Sequence, residues 1–232
     1  MLKGAPKRRK FDDVSTWKRR SVVGVSAFRR FGVSMAAIVA CAGCNWLVPL
    51  AFIGDPQEKV APEYDQLAGK KTAVVVWAGM DTLFDYPHVR LELATFIADK
   101  VASRLKDVEF VEPRKVEDYV RKSLETSFDP RVVGEEFKAD RVVYVELLNF
   151  QIRDPTAPDF LRGRIEASVT VHDLRADPDQ PQRYELAPVT TVYPEDHAVL
   201  YDPSRAIEVR HGTYTMFSEM VARKFYEYER PM

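Results

Sequence analysis

Thr72-Ala-Val-Val-Val-Trp-Ala78 is a run of β-branched and apolar residues without polar alternation, and its reading decides the architecture. A strand covered on one face alternates, whereas a strand apolar at every position is covered on both, so this run predicts a central strand. A loop over Gly79–Pro87 follows. His88–Leu105 then places Leu93, Ile97, Val101 and Leu105 four residues apart, the stripe of an amphipathic helix that packs on the sheet. Val108–Val111 reads as a short strand. Pro113 opens a second helix, a position where its missing N–H is harmless, with Val116, Val120 and Leu124 as the buried side.

Beyond these, a short helix is expected near Arg131–Phe137 and a third strand over Asp140–Phe150. Arg164–Asp173 alternates Ile165, Ala167, Val169 and Val171 with Arg164, Glu166, Ser168 and Thr170, which predicts a half-buried strand with one wet face. Asp177–Pro181 carries turn chemistry. Val189–Tyr193 supplies the last strand, and Pro203–Tyr228 a long helix with Val209, Thr213, Met216, Met220 and Lys224 along one side. The order β-α-β-α-β-β-β-α, helices early and hairpins late, predicts an α+β two-layer sandwich. Its mixed sheet should have about five strands with helices on one face, built from residues 70–232.

The chain has 232 residues, 46% hydrophobic and 30% charged, which excludes a disordered chain and a multi-span membrane protein and suits one ordinary domain. Its net charge of −1 conceals an asymmetry. Residues 1–30 hold ten basic residues against Asp12 and Asp13, a net of +8, while the rest holds 24 basic and 33 acidic residues, a net of −9. An acidic body argues against nucleic acid, whose phosphates require a basic face.

The basic head precedes an uncharged apolar stretch, 31–43, and together they describe a secretory signal over residues 1–43. Arg19-Arg20 and Arg29-Arg30 leave general and twin-arginine export both open. Ala42-Gly43-Cys44 resembles the bacterial lipobox, in which small residues precede a cysteine that is acylated on sulfur and becomes the new first residue. Cys44 is the expected lipidation site. Ile38-Val-Ala-Cys41 is a second, less favoured one. The alternative is an uncleaved anchor over Ser34–Gly54, since about 20 apolar residues cross a bilayer. Either way the positive head places the body on the periplasmic side of the cell envelope, with inner or outer membrane undecided. Residues 44–69 then form the tether: Trp46–Ile53 is apolar enough for the membrane interface, and Asp55–Tyr64 is a polar spacer with two prolines.

Catalytic signatures are missing. His88, His172, His197 and His211 are scattered without metal-binding spacing, and no Gly-x-Ser-x-Gly turn or glycine-rich phosphate loop occurs. His172 beside Asp173 reads as a solvated pair, and Glu195-Asp-His197 as a plain loop. No catalytic residue, cofactor or metal is therefore assigned. One segment suits a partner: Leu83, Phe84 and Tyr86 lie beside two aspartates, Asp81 and Asp85, in the 79–87 loop, the composition of an interface anchor, although packing over the sheet edge explains them equally well. Phe225-Tyr-Glu-Tyr-Glu-Arg230 places three aromatics in two turns, expected to dock on the protein's own body.

Lys71–Trp77, the helix ending Ala102-Ser-Arg-Leu105, Val108–Arg114 and Lys138-Ala-Asp-Arg-Val-Val-Tyr-Val-Glu146 together resemble the periplasmic lipoprotein domain of the TolB amino-terminal type. That type also occurs in the curli-export lipoprotein and in lipoprotein activators of penicillin-binding proteins. The start Gly43-Cys-Asn-Trp46 is similar to that of other exported lipoproteins. The Asn-Arg/Thr-rich loop usual after the first strand is replaced here by Asp81–Pro87. The resemblance implies a non-enzymatic binding, scaffolding or assembly module with an envelope protein partner and room for self-association. An accessory subunit of an envelope export or transport machine is the second reading, and an enzyme with an unrecognised site the third.

Overall fold

The computed structural model describes residues 57–123, 129–154, 156–176 and 182–231. The expected signal segment, Cys41, Cys44, the Ser34–Gly54 stretch, Leu124 and the turn expected over Asp177–Pro181 lie outside the described residues. Its strands are β1 (Gln57–Val60), β2 (Lys71–Trp77), β3 (Glu109–Phe110), β4 (Arg141–Arg153), β5 (Phe160–Asp173), β6 (Arg183–Tyr193), β7 (Val199–Leu200) and β8 (Tyr228–Pro231). Its helices are α1 (Met80–Asp85), α2 (Val89–Arg104), α3 (Pro113–Ser123), α4 (Pro130–Glu136) and α5 (Pro203–Ala222). None of these helices is long and apolar enough to cross a membrane.

The sheet is mixed, in the order β3-β2-β4-β5-β6, with β7 pairing the start of β5. β2 is parallel to β3 and β4, and β4, β5 and β6 are antiparallel. This is the expected α+β class. β2 is covered on both faces, with Val74 and Val76 facing one apolar cluster and Ala73 and Val75 the other. The main cluster lies under α2 and α5, where Leu93, Ile97, Phe217 and Val221 are sealed from solvent. At the β2 edge, Val116 and Val120 of α3 and Val133 of α4 build a smaller layer on the opposite face. Both faces of β2 are covered, as its apolar run implies, but helices occupy both of them, where helices on one face were expected.

Strand lengths differ from expectation for local reasons. β4 continues to Arg153 through a bulge at Leu148, the extra residue between Leu147↔Ala167 and Asn149↔Glu166. The bulge resets the alternation, so that Phe150 and Ile152 face the same core as Val145 and Leu147. β6 begins at Arg183, well before Pro188, because the proline sits in a bulge of an edge strand, where a missing donor is tolerated. Glu63 accepts the neighbouring Ala187 N–H at 2.7 Å. β5 starts earlier, at Phe160, and its Gly163 lies so close to Thr213 of α5 that a Cβ there would strike the threonine side chain.

Two boundaries move. α5 stops at Ala222 instead of continuing to Tyr228: the chain turns, Phe225 enters the core, and β8 pairs antiparallel with β1. Residues 57–69, read from sequence as part of the tether, supply β1 and the buried Tyr64 and Leu67, so the described fold includes residues before Lys70. Tyr64 packs edge-on against Tyr184 and Phe225, with ring centroids 5.0 and 6.5 Å away. The expected solvated pair at His172 and Asp173 is corrected too. Both are buried, on opposite faces of the sheet: His172 pairs with Val142 on the face that α4 covers, and Asp173 pairs with Arg141 on the face of Tyr64.

Candidate interaction surface

The segment 79–87 is not a loop. Met80–Asp85 forms one short helix, with Leu83 N–H donating to Gly79 O at 3.1 Å and Tyr86 N–H to Thr82 O at 2.8 Å. Six residues are too few for a helical period to show in the sequence. The helix divides the three residues singled out as an anchor. Leu83 and Tyr86, three apart, turn inward against the main core, and the Tyr86 ring meets Phe150 edge-on at 4.7 Å. Phe84 turns outward and is 89% exposed; Met80 is 79% exposed.

Other elements bring further apolar side chains to the same end. β7 contributes Leu200 and the first turns of α5 contribute Ile207, 63% exposed. The pairing of β7 with Phe160 and Leu161 holds this segment at the end of β5 nearest α1. Asp202 begins α5, its Oδ1 accepting from Ser204 N–H at 2.9 Å, and Pro203 fits the first helical position. Ile207 lies across the helix from the buried Val209, Thr213, Phe217 and Val221. An isoleucine off the apolar stripe was the sequence signal for this surface. Exposed apolar side chains grouped at one end of a fold are the composition of an interaction site.

Beside the patch is a cleft of about 450 Å³ among Tyr86, Ile152, Arg153, Tyr201, Ile207 and Arg210, with Asp85 at its rim. The Arg153 guanidinium lies over the Tyr201 ring, 4.3 Å from its centroid. Burial pushes the Tyr86 hydroxyl above its ordinary range; the Ile152 backbone opposes this, Asp85 adds to it, and Arg153 and Arg210 oppose it more weakly. Beneath, Tyr214 donates to Glu92 Oε2 at 2.9 Å, and burial followed by that carboxylate raises its hydroxyl pKa strongly.

A wider groove of about 920 Å³ runs along α5 past Met216 and Met220 to the 193–196 loop. Its central carboxylate, Glu219, is engaged by Arg223 at 3.2 Å, Arg104 at 3.4 Å, Lys100 at 3.5 Å and the Tyr226 hydroxyl at 2.7 Å. Glu195 and Asp196 line this groove, and the Glu195 carbonyl accepts from Arg162 at 2.6 Å. Among the described residues no group of three or more His, Cys, Asp or Glu side chains is placed to hold a metal.

The chain enters the fold far from the apolar end. From Ile207 near the patch α5 runs about 23 Å, at 1.5 Å per residue, to its end at Ala222 and the turn where Lys224 Nζ meets Glu63 Oε1 at 2.9 Å, next to β1.

The chain matches no protein-family model and no curated protein. Among solved structures it is similar to the PelC dodecamer from Paraburkholderia phytofirmans, at 8% identity over 74% of this chain and 97% of that one, with a TM-score of 0.42. It is also similar to lipoprotein GNA1162 from Neisseria meningitidis, at 12% identity over 63% and 95%, with a TM-score of 0.35. A minor lipoprotein from Acinetobacter baumannii aligns at 11% identity over 67% and 91%, with a TM-score of 0.32.

Proposed function

We propose that the protein is a lipid-anchored envelope protein whose folded unit is a non-enzymatic docking platform for another envelope component. The observation that carries this reading is the gathering of exposed Met80, Phe84, Leu200 and Ile207 at one end of the fold, supplied by three separate elements. Scattered surface apolar residues are ordinary, whereas a group assembled by three elements is the composition of a binding face. Acylation at Cys44 fits the small-residue sequence before it, and the amide-linked chain usual at such cysteines would add to the hold, since one chain alone binds a membrane marginally. Within the folded unit the patch lies at the end away from β1.

The test has two arms. Metabolic labelling with a palmitate analogue should tag the wild-type chain and not Cys44→Ala; equal labelling moves the acylation elsewhere, and no labelling of either removes the lipid anchor. A photoreactive phenylalanine analogue at position 84 should capture one discrete partner in cells, and the same analogue at the exposed Val132 of α4 should not. Equal capture from both positions, or from neither, overturns the platform.

A further inference from the structure

The cleft beside the patch holds charge that the fold itself does not use. Arg141, Arg104, Arg175 and Arg223 each meet a carboxylate within 3.5 Å. Arg153 and Arg210 have no carboxylate within ion-pair distance among the described residues. Both line one cleft and both bear on the same Tyr86 hydroxyl. On a body whose net charge is negative, two guanidinium groups beside a single carboxylate, Asp85, form a locally positive recess.

We propose that this cleft receives an acidic–apolar peptide segment of the partner protein. Its carboxylate is held by Arg153 and Arg210, and the adjoining apolar side chain rests on Tyr86, Tyr201 and Ile207. The proposal deepens the docking-platform reading and rests on it. Charge complementarity selects the acid: guanidinium groups donate paired, charge-assisted hydrogen bonds to carboxylates, and stacking of Arg153 on Tyr201 fixes its plane while leaving its N–H edge available. Size selects a side chain with its neighbour, since about 450 Å³ falls at the small end of ligand clefts. Continuity selects a peptide over a small free acid. Asp85 and Tyr201 on the cleft wall are each preceded in the chain by an exposed apolar residue, Phe84 and Leu200, so an occupant can extend from the recess onto apolar surface.

The experiment uses the detergent-extracted full chain and three fluorescein-labelled probes that share the sequence Gly-Gly-Leu-X-Phe-Leu-amide, where X is Glu, Gln or Lys. Fluorescence anisotropy should show the Glu probe binding about tenfold more tightly than the Gln probe, with the Lys probe weaker still. Arg153→Ala combined with Arg210→Ala should abolish the Glu-over-Gln preference while leaving the melting temperature in place. Should the double variant not fold, Arg210→Gln alone should reduce the preference. Equal binding of the Glu and Gln probes, or a preference that survives loss of both arginines, overturns the proposal. Full displacement of the Glu probe by equimolar acetate also overturns it and assigns a small-acid site instead. Capture from position 84 separates the two readings. If capture persists undiminished in the double variant, the carboxylate contact falls and the platform stands; if the wild-type chain captures nothing, the platform itself falls.

Discussion

The Tyr64 hydroxyl accepts a hydrogen bond from Arg141 Nε at 2.7 Å, joining the segment before β2 to the first residue of β4 across 77 positions of sequence. Arg141 also pairs with Asp173 and donates to the Asp140 carbonyl at 3.0 Å. All three partners meet one guanidinium that is almost wholly buried.

Removing one member of a buried ion pair leaves the other charge uncompensated, so Arg141→Ala should lower unfolding free energy by about 3–5 kcal/mol. Tyr64→Phe loses only a hydrogen bond and should cost about 1 kcal/mol. Urea denaturation at neutral pH measures both. Equal small losses would show that Asp173 finds water once Arg141 is gone.

Much of this fold could be read from one sequence because its signals are periodic. β2 and α2 fall within a residue of their expected bounds and α3 opens at Pro113 as expected, since Leu93, Ile97 and Val101, and Val116 and Val120, repeat at helical spacing. The rest depends on tertiary contacts that leave no period. The bulge at Leu148 and Pro188 in β6 break alternation within true strands, and the partner of β1 lies some 170 residues away, at β8. In the candidate surface, Phe84 was legible as an aromatic in a polar segment. Arg153, Arg210 and Tyr201 were not, because the cleft that joins them exists only after β4, β7 and α5 converge.

Stability should fall with acid in two windows. Burial, followed by the Arg183 charge, lowers the pKa of His172 from its ordinary 6.5; Asp129 opposes this and Arg131 adds to it. The unfolded chain then binds a proton more readily than the folded one, so this contribution is complete above about pH 6.5 and is lost as pH falls through the folded value. His172→Gln should flatten that limb. Asp140 titrates lower, held down first by the Lys71 N–H that donates to its Oδ2 at 3.0 Å and next by Arg175. Its contribution is present above about pH 3.8 and is lost as pH falls through the lower folded value; Asp154, Asp202 and Glu219 are lowered as well, so Asp140→Asn should reduce that second decline without touching the first. Urea midpoints from pH 3 to pH 8 for the three chains separate the two. A wild-type profile flat between pH 5 and 7 would refute the histidine assignment.

Close approach of α5 to the sheet rests on glycine. A Cβ at Gly212 would enter the ring of Tyr193. Gly212→Ala should therefore destabilise by about 1–3 kcal/mol through overpacking, despite alanine's better helix propensity. In a Tyr193→Ala background the same change should be neutral or slightly stabilising, because the obstructing ring is gone. Thermal melts of the four chains in this cycle read the coupling, and additive effects would place the strain elsewhere.

The apolar end divides into residues that hold the fold and residues that only face outward, and mutation should show the division sharply. Tyr86 packs on Phe150, which in turn lies 5.8 Å from Tyr214, so Tyr86→Ala should cost about 2 kcal/mol or more. Met80→Ser and Phe84→Ser remove side chains that are already in water, and each should leave stability within about 0.5 kcal/mol. These two substitutions should nonetheless abolish capture of a partner from a photoreactive group placed at Ile207, because the three side chains belong to one face. Stability lost at Phe84 would mean that the ring packs on this chain rather than on a partner. Capture from position 207 unaffected by both serines would separate α1 from α5 and divide the surface in two.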